Sequence, residues 1–234
     1  MKRRLFCMVL GLSLVMIMLV VPSLAISELE GQTSMSKQET AEILSEKLDE
    51  AADVLDGENM DMVMCSMSDG SLYAVKTYDM GDGCTLAVEL KDQSEFAAGT
   101  PSIMPLATSG SNEMWKDYGN RYFTGKATVT VGGASVTLGL ENHYILSANG
   151  IDENFGKPGM SKSRSISVNQ GLPVVSNSSA RSVGSSVSMH CSFTCKGMAT
   201  TATYKMNTGV KYLAQNKTDK QVKVGHSWNL TKVS

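Results

Sequence analysis

The feature that most constrains this chain is the stretch from Phe123 to Leu140. Phe123, Ala127, Val129 and Val131 alternate with polar residues, Gly132-Gly133 interrupts, and Ala134, Val136, Leu138 and Leu140 alternate again. A period of two belongs to a strand with one buried face. Two glycines between such runs supply the positive φ of a tight hairpin. The turn predicts pairing of 131 with 134, 129 with 136 and 127 with 138, apolar on apolar each time. A sheet with one face to bury is therefore the starting point.

The same period recurs downstream. Residues 164–170 and 182–196 read as strands, the second with Val183, Val187, Met189, Cys191 and Phe193 inward. Asn207-Thr208-Gly209 reads as a three-residue loop pairing Met206 with Val210, Tyr204 with Tyr212 and Ala202 with Ala214. Residues 216–220 then bring Val222 beside Ala214 and Val224 beside Tyr212, and set His226 opposite Val210. About seven alternating strands in this half predict an antiparallel β-sandwich.

The N-terminal half begins differently. Ser36-Lys37-Gln38-Glu39 has capping-box spacing. Behind it Ala41, Leu44, Leu48, Ala51, Ala52 and Leu55 recur at three and four residues, and Asp56-Gly57 ends the pattern. This predicts a helix over 37–56. Residues 60–67, 72–79 and 84–90 then read as a meander of three strands. An Asp-Gly turn at 69–70 places Met64 opposite Val75, and a four-residue loop at 80–83 places Val88 opposite Val75. The face holding Met62, Met64, Val75, Leu86, Val88 and Leu90 is the expected seat of the helix. The fold class predicted is thus mainly β, a C-terminal antiparallel β-sandwich preceded by a small α+β unit.

Charge divides the chain in the same place. Residues 26–111 hold 17 acidic and 4 basic side chains, and residues 112–234 hold 6 acidic and 14 basic. The whole is near neutral, at −2, and hides this split. The uncharged FAAGTPSIMPLATSGSN at 96–112 reads as a linker open to proteases. Lys2-Arg3-Arg4, an apolar stretch from Leu5 to Val21 and Ser23-Leu24-Ala25 are the parts of a signal peptide. The expected organisation is a signal peptide at 1–25, an acidic α+β unit at 26–95, the linker and a basic β-sandwich domain at 113–234. Localisation is expected to be secreted, with no transmembrane segment after cleavage. Opposite charge on tethered units allows intramolecular docking of the two halves, with the acidic one as a pro-region, or two independent domains whose charges serve solubility.

The helix and meander, followed by YGNRYFTGKATVTV and LENHYILSANGI, resemble small secreted proteins of Gram-positive bacteria in families of unknown function. The resemblance implies a bacterial exported protein and brings no functional residues with it.

Catalytic and metal chemistry finds little support in the spacing. The methionines of MDMVMCSM are soft ligands suited to Cu(I), but at alternate strand positions they are wanted as core. Neighbours His190 and Cys191 point to opposite faces of a strand, so they do not form a nucleophile and its base. His143, His190 and His226 share no metal-ligand spacing, and His226 reads as a hydrogen-bonded core residue. No cofactor is indicated. Cys65, Cys84, Cys191 and Cys195 are even in number, but residues four apart on a regular strand lie about 13 Å apart, too far for a bridge. Free buried thiols and a bulge joining Cys191 to Cys195 both stay open. Trp115, Tyr118, Tyr122 and Trp228 are the aromatics that could form a sugar platform; Trp228 reads as core, while Trp115 and Tyr118 precede the first strand and are freer.

Basic side chains are more informative. In the expected hairpin Lys205 and Lys211 face each other on the outer surface, with Lys223 near and Lys217 and Lys220 in the adjoining loop. Opposed like charges destabilise a sheet, so a purely structural account does not ask for them; a solvated face and an anion-binding surface are the two readings. The function expected is a binding module for an anionic cell-wall polymer or lipid, with a secreted hydrolase or a plain structural surface protein as alternatives.

Overall fold

One cap sets the helix. Ser36 lies in extended backbone, and its hydroxyl accepts the Glu39 N–H at 3.1 Å, which satisfies one donor that a helix start leaves open. The helix, α1 (Lys37–Leu55), buries Ala41, Leu44, Leu48, Ala51, Ala52 and Leu55 on one stripe. The computed structural model describes residues 35–56, 65–66, 71–94, 113–153, 159–197 and 199–234, with backbone alone at 65–66.

The strands are β1 (Cys65–Ser66), β2 (Leu72–Asp79), β3 (Cys84–Ser94), β4 (Glu113–Asp117), β5 (Gly119–Val131), β6 (Ala134–Ser147) and β7 (Gly150–Glu153), then β8 (Met160–Ser163), β9 (Ser167–Gln170), β10 (Val174–Asn177), β11 (Ser179–Ala180), β12 (Ser186–Lys196), β13 (Thr201–Asn216) and β14 (Gln221–Lys232). They form two antiparallel sheets. The first runs β1-β2-β3-β5-β6-β7-β11, with β8 also on β6. The second runs β10-β12-β13-β14-β4, with β9 also on β12. The sheets pack face to face, β6 against β12, β13 and β14, and α1 lies against β5, β6 and β14. Leu86, Val88, Phe123, Val129 and Leu138 of one sheet share a single buried core with Val187, Phe193, Met206, Val224 and Leu230 of the other. Each such side chain contributes about 1.5–3 kcal/mol on burial. The mainly β, two-sheet fold class expected from the alternation is what the chain adopts.

The glycine hairpin forms as predicted. Val131 pairs with Ala134, Val129 with Val136 and Ala127 with Leu138, and Gly132 and Gly133 carry φ of 51° and 84°. Elsewhere local turn chemistry misleads. Asn207-Thr208-Gly209 is not a turn, because β13 runs straight through it with partners on both sides. Thr208 is buried toward the core, and Asn207 donates its amide to Asn229 at 2.7 Å. A Cβ on Gly209 would stand 2.6 Å from the Ser227 hydroxyl. Tyr212 pairs with Val224 and Val210 with His226, as expected, but a bulge between Tyr212 and Ala214 moves Val222 to Gln215. Val183 is exposed outside β12 rather than turned inward.

The meander is shifted by one residue. Met80 N–H bonds to Cys84 C=O and Cys84 N–H to Gly81 C=O, while positive φ at Gly81, Asp82 and Gly83 closes a longer turn. Val75 therefore faces Glu89, not Val88, and is 51 % exposed. A one-residue slip exchanges the two faces of a strand. At the other end Cys65 pairs with Tyr73, while Met60 to Met64 lie outside the described residues.

The division at residues 95 and 113 does not separate two units. Met35–Ser234 forms one compact unit. Strand β3, expected in the acidic part, pairs with β5, expected in the basic part, along eleven positions from Cys84↔Val131 to Ser94↔Arg121. Charge marks the outer faces of strands, but backbone hydrogen bonds join them, so the two halves are sheet neighbours and not docked bodies. That removes the basis for a releasable acidic pro-region. Residues 1–25 and 96–112 lie outside the described residues. No helix among the described residues is long and apolar enough to cross a membrane.

Candidate functional site

The outer face of the second sheet follows from strand parity. Val187, Met189, Cys191 and Phe193 are buried on β12, as are Tyr204, Met206, Thr208 and Val210 on β13 and Val224, His226, Trp228 and Leu230 on β14. The intervening residues therefore point outward and align in rows across the sheet. Ser192, Lys205 and Thr231 make one row, and His190, Asn207 and Asn229 the next. Ser188, Gly209 and Ser227 follow, then Ser186, Lys211 and Gly225. The hydrogen bond from the Asn207 side-chain amide to the Asn229 side-chain carbonyl oxygen and a 2.8 Å contact of His190 Nδ1 with the Ser176 hydroxyl hold this surface in place.

The expected lysines are placed differently from the sequence reading. Lys205 and Lys211 are not opposed; they lie on one strand, six residues or about 20 Å apart. Lys205 stands between Ser192 and Thr231, and Lys211 between Ser186 and Gly225. Lys223 is paired with Glu113 at 2.8 Å, next to Trp115 of β4. Lys217 and Lys220 occupy the turn joining β13 to β14, where Lys220 has φ 53°. The like-charge strain expected between Lys205 and Lys211 is thus absent. Yet β9, β10, β12, β13 and β14 contain no Asp or Glu at all. Carboxylates enter the second sheet only through Glu113 and Asp117 on the edge strand β4.

Between the sheets lies a charged cluster that the sequence reading missed. Asp92, fully buried, accepts from Arg121 Nε at 3.0 Å and Nη2 at 2.7 Å through Oδ1. Its Oδ2 accepts the Tyr144 hydroxyl at 2.7 Å and lies 2.6 Å from His226 Nε2. The His226 ring also stacks 4.5 Å from Phe123. His226 is the inward core histidine that its position opposite Val210 predicts. Burial opposes charge on Asp92, but Arg121, Lys116 and His226 overcome it and hold the carboxyl well below the usual range. Burial and the Asp92 charge push the Tyr144 hydroxyl well up. Burial brings Lys116 down to about 8, against the pull of Asp92. The only available signal in the sequence was charge at positions where the strand period asks for apolar residues.

A second polar site sits where α1 meets the end of the second sheet. A cavity of about 190 Å³ is lined by Ser45, Asp49, Cys195, Thr200, Tyr204 and Lys232, among others. Asp49 accepts from the Tyr204 hydroxyl and from Lys232 Nζ at 2.8 Å, so its oxygens are engaged. Burial pushes the Cys195 thiol up to about 12. Cys84, Cys191 and Cys195 are free and buried, with Cys191 inward and His190 outward as the strand period requires. Trp228 is core, lying over Gly125, while Trp115 is at the edge of the lysine-bearing face. No group of three or more metal-ligating side chains occurs among the described residues. Comparison with known protein families, curated proteins and solved structures returns no match for this chain.

Proposed function

We propose that this protein is an exported binding module that engages an anionic cell-envelope polymer through the outer face of its second sheet. The observation that carries the reading is the lack of carboxylates on five of the six strands of that sheet, together with outward Lys196, Lys205 and Lys211. A surface of one sign attracts a polymer of the other and loses it as salt rises. The rows of Ser, Thr and Asn between the lysines offer hydrogen bonds to a hydrated, hydroxyl-rich chain. The same rows favour a polymer over a lipid surface. Outward positions of β12, β13 and β14 hold Leu213 near the turn and otherwise no large apolar side chain to enter a bilayer. Lys205 and Lys211, about 20 Å apart along β13, suit a ligand with repeated negative charges.

The test is cosedimentation of the protein with purified, insoluble cell wall bearing a polyol-phosphate polymer. Binding at low salt that falls steeply with added sodium chloride, and that weakens severalfold in Lys205→Gln/Lys211→Gln, is the expected result. Undiminished binding by the double variant, or no binding at low salt, overturns the assignment and leaves a plain structural role.

A further inference from the structure

The cavity where α1 meets the end of the second sheet holds about 190 Å³. Buried Tyr204 and Cys195 form its floor, and exposed Thr200 and Thr201 stand at its rim. One wall is the helix, with Ser45 and Asp49 one turn apart on the same face. The other is the connection from β12 to β13, closed by the Gly197 N–H bond to Thr200 C=O at 2.9 Å. The two walls come so near that a Cβ on Gly197 would stand 2.6 Å from the Ser45 hydroxyl. Asp49 joins helix to sheet: Oδ1 accepts from the Tyr204 hydroxyl at 2.5 Å and Oδ2 from Lys232 Nζ at 2.8 Å. Tyr204 and Lys232 are cross-strand partners, so the β13–β14 ladder fixes both donors before any ligand arrives.

We propose that this cavity binds one neutral polyhydroxyl unit, a single sugar ring or a short polyol, through adjacent hydroxyls on Asp49 and Lys232. The lining selects that class. Lys232 already neutralises Asp49, so a charged ligand finds no uncompensated partner. What remains are hydrogen-bonding positions of both kinds. A carboxylate has about four acceptor positions, and Tyr204 and Lys232 leave room for a further bond on each oxygen of Asp49. The Lys232 ammonium keeps donors beyond the one given to Asp49. Ser45 commits its hydrogen to Ala41 C=O at 2.9 Å and offers its oxygen as an acceptor. A hydroxyl both donates and accepts and so satisfies this mixture, whereas an ionised carboxylate only accepts and would meet Asp49 in repulsion. At about 190 Å³ the cavity is smaller than the about 300–1,000 Å³ of sites for drug-sized ligands, which limits the occupant to one ring or a short chain. The site lies on the inner side of the sheet, uses neither Lys205 nor Lys211 and is independent of polymer binding on the outer face.

The probes are sorbitol and methyl glucoside, an open-chain and a ring polyhydroxyl, each titrated through the millimolar range against the isotopically labelled full chain. Saturable amide shifts are expected with at least one of them, centred on Ser45, Asp49, Thr201 and Tyr204 and indifferent to added sodium chloride. Asp49→Asn is expected to raise the half-saturation concentration at least about tenfold, the loss of one charge-assisted contact. Ala202→Leu leaves Asp49, Tyr204 and Lys232 in place, fills the cavity and should abolish saturation. No shifts with either probe, shifts that rise linearly or centre elsewhere, or saturation undiminished in either variant overturn the proposal. Should Asp49→Asn fail to fold, the wild-type map and Ala202→Leu decide. Because these shifts ignore salt and the outer-face binding does not, failure of one reading is distinguishable from failure of the other.

Discussion

Replacing Asp92 with asparagine keeps the volume and removes the charge that holds the two sheets together at this point. In the folded protein Asp92 takes two bonds from Arg121, one from Tyr144 and a 2.6 Å contact from His226. The side-chain amide introduced by Asp92→Asn has one acceptor oxygen in place of two, and it leaves the buried Arg121 guanidinium without its carboxylate partner. Removing one partner of a buried pair costs about 3–5 kcal/mol, against a total stability of about 5–15 kcal/mol for a domain. At roughly 2–4 °C per kcal/mol for a chain of this size, Tm should fall by roughly 6–20 °C. Tyr144→Phe removes a single donor to a charged acceptor and should cost about 1.5–3 kcal/mol. The double variant should cost less than the sum, because both changes act on Asp92 Oδ2. Urea unfolding followed by far-UV circular dichroism measures all three. The pH dependence has a defined sign. The folded carboxyl is held well below the usual range, so its contribution is fully present above about pH 4, the unfolded value, and is lost as pH falls through the folded one. Asp92→Asn should lose this contribution, so that its stability falls less steeply than wild type over that acid range. A cost below about 1 kcal/mol with an unchanged m-value refutes the claim that this cluster ties the sheets together.

Other outcomes follow from single contacts. Gly125→Ala should cost about 1–3 kcal/mol in urea unfolding, since its Cβ would lie 1.9 Å from Trp228 Cδ1 inside a packed core; Trp228→Leu in the same chain should recover part of the loss. Glu153 is pushed up to about 7 by burial, with the Asn142 amide opposing. The folded chain then holds a proton that the unfolded chain releases near pH 4.3, so stability should fall as pH rises from about 4.3 to about 7, and Glu153→Gln should remove that slope in a Tm series. Ser36→Ala should lower stability by about 1 kcal/mol, read as a lower urea midpoint, through loss of the Glu39 N–H acceptor.

What could be read in the sequence depended on whether the signal was local. The Gly132-Gly133 hairpin and the α1 stripe are specified within a few residues, and both stand as predicted. Asn207-Thr208-Gly209 carries equally good turn chemistry, but β13 is wanted on both sides by β12 and β14, and two ladders outweigh one turn. The basic character of the C-terminal half was legible, whereas its geometry was not. Folding Lys205 onto Lys211 required the turn that does not form. Asp92 shares the inward parity of Leu86, Val88 and Leu90, but Lys91-Asp92-Gln93 reads as the end of the apolar run rather than as core. It belongs inside only because Arg121, Tyr144, His226 and Lys116 arrive from four other strands. The charge split misplaced a domain boundary for a similar reason, since side-chain charge says nothing about which backbones pair.

The claim that the outer face of the second sheet is the binding surface is tested most directly by amide chemical-shift mapping. The isotopically labelled protein is titrated with a soluble polyol-phosphate polymer at low salt. Shifts should concentrate at outward positions of β12, β13 and β14, among them Ser192, Lys205, Asn207, Lys211 and Thr231, and should reverse as salt is raised. Shifts centred on the first sheet, for instance at Thr124 to Thr130 of β5, or no shifts at low salt, contradict the account.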